Sequence, residues 1–476
     1  MSAAAAASVE LIELPAAAWH DRVSSVLAGG ARFLALYADD GARPVRITVA
    51  LRDGTHTIIL RTRAIDAEIP SIVDLVPAAE WDEREAHDLA GVRFAGHTPL
   101  RPLVAHPPAT ADWTTPVIGE DVHQVAVGPI HAGIIESGHF RFHVVGERIL
   151  HLDLRLFYNH RGLEDAAIGT APETALLLAQ RACAACAVSN TVAFAQAYET
   201  SLGGAPDTAL RRTRTLLLEL ERLYNHLNDI GAVCAGIGFA PGAVAFAGLK
   251  ERAQRINAAL TGHRFLFGSV ALGSSALAVD GRQAAEMRAR IGEIGRDAAT
   301  MWREIDRNGS VRDRLGGAGV LSFEDAERLG TCGPAGRASG VAHDVRAQSP
   351  LLWYPDFAAA RPNDPAGDVA ARVEMRAREL AACCAILEEL LHAPIAPGQI
   401  AVIGPATDLG IGVVESPRGQ TVVLLEHDRG QVQRMHLRTG SYANWPSLAA
   451  ATTDAILPDF PLINKSFELC YACADR

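Results

Sequence analysis

Two runs of alternating apolar and polar side chains, residues 45–51 and 56–62, flank Asp53-Gly54. Alternation turns one face of each run toward a core, and Asp-Gly favours a tight reversal, so the pattern predicts a β-hairpin. The apolar stretch 33–37 just before it completes the outline of a small α/β domain. Further along, the period lengthens. Leu210, Leu216, Leu217, Leu220, Leu223, Tyr224 and Leu227 fall on one face at helical spacing, and residues 282–307 and 368–392 carry similar long patterns. Alternation returns with turn residues over 402–436, which predicts a small sheet interrupting a helical bundle.

Between these regions lies a Pro- and polar-rich stretch, residues 106–127, with Pro107-Pro108 and Pro116, which reads as an extended connector. The predicted class is α+β. A small α/β domain spans residues 1–104 and a linker spans 105–127. A mainly helical domain with small β elements covers 128–476.

Composition narrows the function classes. At 476 residues the chain is too long for one simple core, and 49% hydrophobic with 21% charged residues is ordinary for a globular protein. A net charge of −11 with no concentrated basic stripe argues against nucleic acid as a partner, and against direct adhesion to anionic lipid. The Ala-rich start lacks a basic n-region and carries Glu10 and Glu13, unlike a secretory signal. Residues 230–249 are uncharged and long enough to raise the question of a membrane span. They are rich in Ala and Gly and broken by Pro241, so a buried loop or core segment is expected instead. Membrane attachment would then come through other subunits.

Eight cysteines in a chain of this kind do not suggest a disulfide framework. Two pairs share one spacing: Cys183 with Cys186, and Cys470 with Cys473. A three-residue offset lets a short turn aim both sulfurs at one metal, and four thiolates suit zinc, iron or nickel. A lone pair of this kind is as well explained by a redox couple or two small core residues. Cys234, Cys332, Cys383 and Cys384 sit in apolar or Gly-rich surroundings and are expected in the core. The matched pairs lie almost a whole domain apart, flanked by Ala and Leu, which favours a buried reactive centre over a structural zinc knuckle.

The motifs around these pairs resemble a known family. They are Gly128-Pro129, Glu136-Ser-Gly-His-Phe-Arg141, Tyr158-Asn-His-Arg-Gly-Leu-Glu164, Glu219-Leu-Glu-Arg-Leu-Tyr-Asn-His226, Arg337-Ala-Ser-Gly340 with Asp344 and Arg346, Glu415-Ser-Pro-Arg-Gly419 and Tyr442-Ala-Asn-Trp-Pro446. With the cysteine pairs they resemble the large subunit of group 4, complex I-related NiFe hydrogenases of the formate hydrogenlyase and hydrogenase-4 type. The same stretches occur in the homologous D-type polypeptide of NADH:quinone oxidoreductase (complex I), which normally lacks the four cysteines. Trp81-Asp-Glu-Arg-Glu-Ala-His-Asp88 and Phe94-Ala-Gly-His97 resemble the C-type polypeptide of the same complex, so residues 1–104 are expected to be C-like and 128–476 D-like.

The resemblance implies heterolytic H2 oxidation or proton reduction at a nickel–iron centre whose iron carries CO and cyanide. Cys183 and Cys470 would bind nickel alone, Cys186 and Cys473 would bridge the metals, and Cys470 would take part in catalysis as a proton acceptor. Glu136 matches the gate glutamate and is expected to be buried beside the metals; Arg418 matches the arginine over the iron ligands. Glu164 matches a carboxylate that serves a magnesium site in other hydrogenases. Because residue 476 is arginine and not histidine, a structural Arg161–Glu164 ion pair stands as the alternative. No cysteines remain in an iron–sulfur pattern. The resemblance therefore implies a cluster-bearing iron–sulfur small subunit, like the B-type polypeptide of complex I, with membrane-arm subunits and hydrogenase maturation proteins as further partners. It implies a peripheral position on the cytoplasmic side of the membrane. Arg476 falls where the family's maturation protease cuts, so a form made without a removable tail is expected.

Some positions depart from the family pattern: Ala184 for glycine, Asn190 for histidine, Glu468-Leu469 for Asp-Pro, and His343 for arginine. Two rival readings follow. One is a complex I-like quinone- or ferredoxin-linked oxidoreductase subunit without hydrogenase activity; the other is a non-catalytic assembly subunit stapled by zinc.

Overall fold

The computed structural model describes residues 8–39, 41, 44–105, 113–131, 136–355 and 357–476. Residues 1–7 of the Ala-rich start, Pro107-Pro108, and 132–135 of the Gly128-to-Arg141 motif lie outside the described residues.

The predicted hairpin forms. Strands β1 (Ser8–Glu13), β2 (Arg32–Asp39), β3 (Arg46–Asp53) and β4 (His56–Arg63) make a sheet ordered β1-β4-β3-β2, with helix α1 (Trp19–Ala28) between β1 and β2. β1 joins parallel to β4, and the other pairs are antiparallel. One face carries Leu36, Val49, Leu51 and Leu60 against Trp19 and Val23 of α1 and Ala86 of helix α2 (Glu80–Ala90). The opposite face carries Leu34, Tyr37, Ala50 and Ile59, and these pack on Leu409, Ile411, Val422 and Leu424 from far along the chain. Because both faces are buried, the first hundred residues fold against the rest of the chain.

The expected connector ends in structure. Strand β5 (His123–Val127) pairs with β6 (His139–Val145), which pairs with β7 (Arg148–Arg155). Extended, apolar-alternating backbone beside a free strand edge completes a ladder, so these five residues belong to a sheet and not to a linker.

Helices α3 (Pro172–Arg181), α4 (Ala187–Ser201), α5 (Thr208–Gly236), α6 (Ala240–Thr261), α7 (Gly281–Arg307) and α8 (Val369–Leu390) build the main body. The leucine stripe does lie in helix α5, but that helix is buried all round. Glu219, Glu221, Arg222, His226 and Asp229 are all 0% exposed. Charged groups survive there because they are paired: Arg222 with Glu219 at 3.2 Å, His226 with Glu379 of α8 at 3.0 Å. Residues 230–249 form the end of α5, a short turn and the start of α6, with Pro241 in the first turn where its missing N–H costs nothing.

Strands β8 (Leu409–Ser416), β9 (Gly419–Asp428) and β10 (Gln431–Arg438) form the predicted small antiparallel sheet, followed by α9 (Gly440–Thr452) and α10 (Phe460–Phe467). Gly410 and Gly412 let α4 lie directly on β8: a Cβ on them would stand 1.9 Å from Ala197 O and 1.8 Å from Ala193 O. Among the described residues no single helix is long and apolar enough to cross a membrane. The bent pair Pro172–Arg181 and Ala184–Ser201, broken by 119°, passes that test by length and composition, and nearly all of α4 is buried within the protein.

Candidate metal centre

The bend of 119° between α3 and α4 is where the first cysteine pair sits. Cys183 is extended (φ −157°), the next three residues make one 3-10 turn, and Cys186 opens α4. The pair therefore sits at the break between two helices. The second pair follows α10, which stops at Glu468 in the left-handed region (φ 51°) and so sends residues 469–476 back into the protein. All four sulfurs converge, each within 4.8 Å of the others; Cys470 is half-buried and the other three are buried. None is in a disulfide. Cys234, Cys332, Cys383 and Cys384 are buried as expected and join no such group among the described residues.

Both turns are held at their main chain. Side chains on α5 grip the first: Tyr224 Oη donates to Ala184 O at 3.3 Å, and Asn225 Nδ2 to Ala185 O at 2.8 Å. The Glu221 carboxylate accepts from Val188 N at 2.6 Å and Ser189 N at 3.1 Å. Cys470 N donates to Ser441 Oγ at 3.1 Å. Arg161 ties the two segments together, donating to Arg181 O (2.9 Å), Ala182 O (2.8 Å) and Ala472 O (2.9 Å). It makes no pair with Glu164, because its guanidinium is already engaged by these carbonyls. Apart from the Arg161–Glu164 ion pair, sequence assigned these holding residues no role, although most lie in quoted motifs.

The electrostatics favour a cation bound by thiolates. Cys470 is held well below the usual thiol range by hydrogen bonds from Cys183, Cys186 and Cys473, helped by the charge of Arg418. Cys186 and Cys473 are pushed well above it, both chiefly through their hydrogen bonds with Cys183. One thiolate is thus shared by neighbouring thiols, and a metal would replace those protons. Arg418, 4% exposed, donates Nε to Glu468 O at 2.8 Å and Nη2 to Asp229 Oδ1 at 3.0 Å. Its Nη1 is buried with no hydrogen-bond partner, and Cys470 and Cys186 are among the charges that act on it. Such an orphan donor beside four sulfurs fits a centre carrying small anionic acceptor ligands. Glu468, in the place of the expected aspartate, is pushed up to about 8 by burial and by Asp229.

Two expectations require correction. Glu136 is exposed. It lies within electrostatic reach of Tyr471 and Asp475, beside the second pair. Gly138 supplies the close packing in that motif, since a Cβ there would stand 2.5 Å from Tyr471 Cε1. Glu164 is buried, but its carboxylate is filled by protein donors: Arg476 Nε and Leu437 N at 2.7 and 2.8 Å on one oxygen, His436 Nδ1 at 3.2 Å on the other. Against the cost of burial, His436 and Arg476 hold it well below the usual carboxylate range. A guanidinium stands where a divalent cation would have to bind, so Glu164 does not fit as a magnesium ligand.

Comparison with known proteins follows the same outline. Residues 13–117 match the family described as respiratory-chain NADH dehydrogenase, 30 Kd subunit, and residues 237–406 match the 49 Kd subunit family. Formate hydrogenlyase subunit 5 of Escherichia coli (strain K12) is 29% identical over 92% of this chain and 82% of its own length. Hydrogenase-4 component G of the same organism is 30% identical over 86% of this chain and 76% of its own. Among solved structures, a chain of the membrane-bound sulfane sulfur reductase, an archaeal respiratory membrane complex, matches with a TM-score of 0.68 and 25% identity. That match covers 76% of this chain and 100% of the other. Joining a 30 Kd-like to a 49 Kd-like segment in one polypeptide, this chain belongs to the family of complex I-related, group 4 membrane-bound hydrogenase large subunits.

Proposed function

We propose that this chain is the catalytic large subunit of a membrane-bound hydrogenase, interconverting H2 with protons and electrons at a nickel–iron centre on Cys183, Cys186, Cys470 and Cys473. The observation that carries the reading is the convergence of the four sulfurs within 4.8 Å, on a chain whose relatives are named hydrogenases. When bound, nickel and iron with CO and cyanide supply the site that polarises and splits H2. In this reading Cys183 and Cys470 would hold the nickel, and Cys186 and Cys473 would serve both metals. The Cys470 thiolate is the first proton acceptor in this reading. Arg418, whose buried Nη1 has no hydrogen-bond partner in the protein, would offset the negative charge of the centre's anionic ligands. Glu136 carries the proton onward to solvent.

Electrons leave through a partner, since no further cysteine group is present among the described residues. That partner is an iron–sulfur small subunit resembling the B-type polypeptide of complex I, joined by membrane-arm subunits that hold this chain peripherally on the cytoplasmic side. Maturation proteins insert the metals. We assign residues 1–104 to a C-like unit and 128–476 to a D-like unit, with β5, at the end of the connector, pairing onto the sheet of the latter.

Metal analysis and infrared spectra of the purified complex test the proposal. Equal nickel and iron with CO and cyanide bands are expected; zinc, or no metal, would refute it. Glu136→Gln is expected to stop H2/H+ turnover at unchanged metal content, and unchanged turnover would remove its role. The likeness to a sulfane sulfur reductase favours one second reading, reduction of sulfur compounds on the same scaffold. Sulfane reduction without H2 chemistry would support it.

A further inference from the structure

Helix α4 begins at Ala187, directly behind Cys186, with no side-chain cap from its own N-cap residue. A helix start carries free N–H groups and roughly half a positive charge. Cys186 is the residue at that helix end, and its side chain accepts no N–H of the first turn. The free donors do not reach the sulfur unopposed, because Glu221 collects them. Val188 N and Ser189 N donate to its two oxygens at 2.6 and 3.1 Å, and the Ser189 hydroxyl donates to the same carboxylate. Glu221 is 0% exposed, and among the described residues no guanidinium, ammonium or imidazole forms an ion pair with it. Burial pushes it up to about 7, with these donors pulling the other way. A buried carboxylate placed against a helix start, with no other counter-charge in contact, acts on whatever lies at that helix end.

We propose that Glu221 is a positioning residue that sets how much electron density Cys186 gives its metals, by holding the α4 N–H donors off the sulfur and cancelling the positive helix end. Hydrogen bonds and positive charge at a ligand sulfur withdraw density from a metal and raise its potential. With Glu221 ionised, the thiolate keeps its density. Tyr224 and Asn225, next on the same helix, hold the neighbouring carbonyls of Ala184 and Ala185, so the turn keeps its shape while the charge is varied.

The inference rests on the nickel–iron reading. Its test uses the assembled complex at a pH of about 8, one unit above the Glu221 value. Glu221→Gln removes the charge and leaves one carbonyl oxygen to accept. Its CO and cyanide bands are expected at higher wavenumber than wild type, and the midpoint potential of the centre is expected to be more positive. Ser189→Ala keeps the carboxylate and removes one donor that neutralises it, so its bands are expected to move the opposite way. If Glu221→Gln fails to load metal, Ser189→Ala alone decides. Bands that stay at the wild-type position in a loaded variant, or that move the same way in both, overturn the proposal. A wild-type complex without CO and cyanide bands would instead overturn the nickel–iron reading itself.

Discussion

Replacing Glu164 with glutamine tests whether a guanidinium has taken over the position a cation would fill. Arg476 is 2% exposed, with Nε 2.7 Å from Glu164 Oε1, Nη2 2.7 Å from Glu85 Oε1, and its guanidinium 4.6 Å above the Tyr442 ring. Removing one partner of a buried ion pair costs about 3–5 kcal/mol. Glu85 remains in the variant, and the amide oxygen can still accept from Leu437 N, so the lower end, about 3 kcal/mol, applies. At about 1.4 kcal/mol per factor of ten, residues 470–476 would open about a hundred times more often. Hydrogen exchange reads this directly, because Ala474 N and Asp475 N are both bonded to Tyr471 O, at 2.8 and 2.9 Å. Glu164→Gln is expected to lower the protection of these amides about a hundredfold, and Glu85→Gln by a similar amount. In the wild type, millimolar magnesium is expected to change nothing, whereas a ligand bound only by the closed form would raise protection in proportion to its occupancy. Unchanged exchange in Glu164→Gln, or magnesium-dependent protection in the wild type, would refute the reasoning.

Two further substitutions probe the scaffold. Gly412→Ala would drive a Cβ to 1.8 Å from the main-chain oxygen of Ala193, which α4 cannot move without leaving β8. A loss of about 3 kcal/mol or more and poor folded yield are expected, read by protease sensitivity. Gly430→Ala, with φ +78° and open space around it, should cost only about 1–2 kcal/mol. His343 is held down to about 4, first by burial and then by Arg32. Its proton is therefore bound less tightly in the folded chain than in the unfolded one, where the group titrates near 6.5. Stability is lost as pH falls from about 6.5 toward about 4, by at most about 3 kcal/mol. His343→Gln should flatten that part of a pH series of denaturation midpoints, and an unchanged acid limb would count against it.

What sequence reveals and what it hides divide along one physical line, the distance over which a residue's partners are found. The hairpin around Asp53-Gly54, helices α5, α7 and α8 and the late sheet are written in periodicities of a few residues, and all were legible. The cysteine pairs were legible for the same reason, since a three-residue offset already fixes a local turn. The all-round burial of α5 was not. Glu219 and Arg222 look like a polar face until Arg346 and Glu379 arrive from later in the chain to neutralise them. The second buried face of the first sheet, packed on strands more than three hundred residues on, was hidden likewise. So was the pairing of Glu85 with Arg476. The two misread site residues obey the same rule. Glu164 was assigned a cation because its true partner is the distant Arg476. Glu136 was expected to be buried because its motif promises a neighbour, yet that side chain is exposed on this chain. A residue whose motif demands burial and whose own chain leaves it exposed points to a surface that another subunit covers. On that reasoning the surface around Glu136 is where a partner subunit is expected to sit, and cross-links from this surface to a partner subunit should form in the intact complex and vanish on its dissociation.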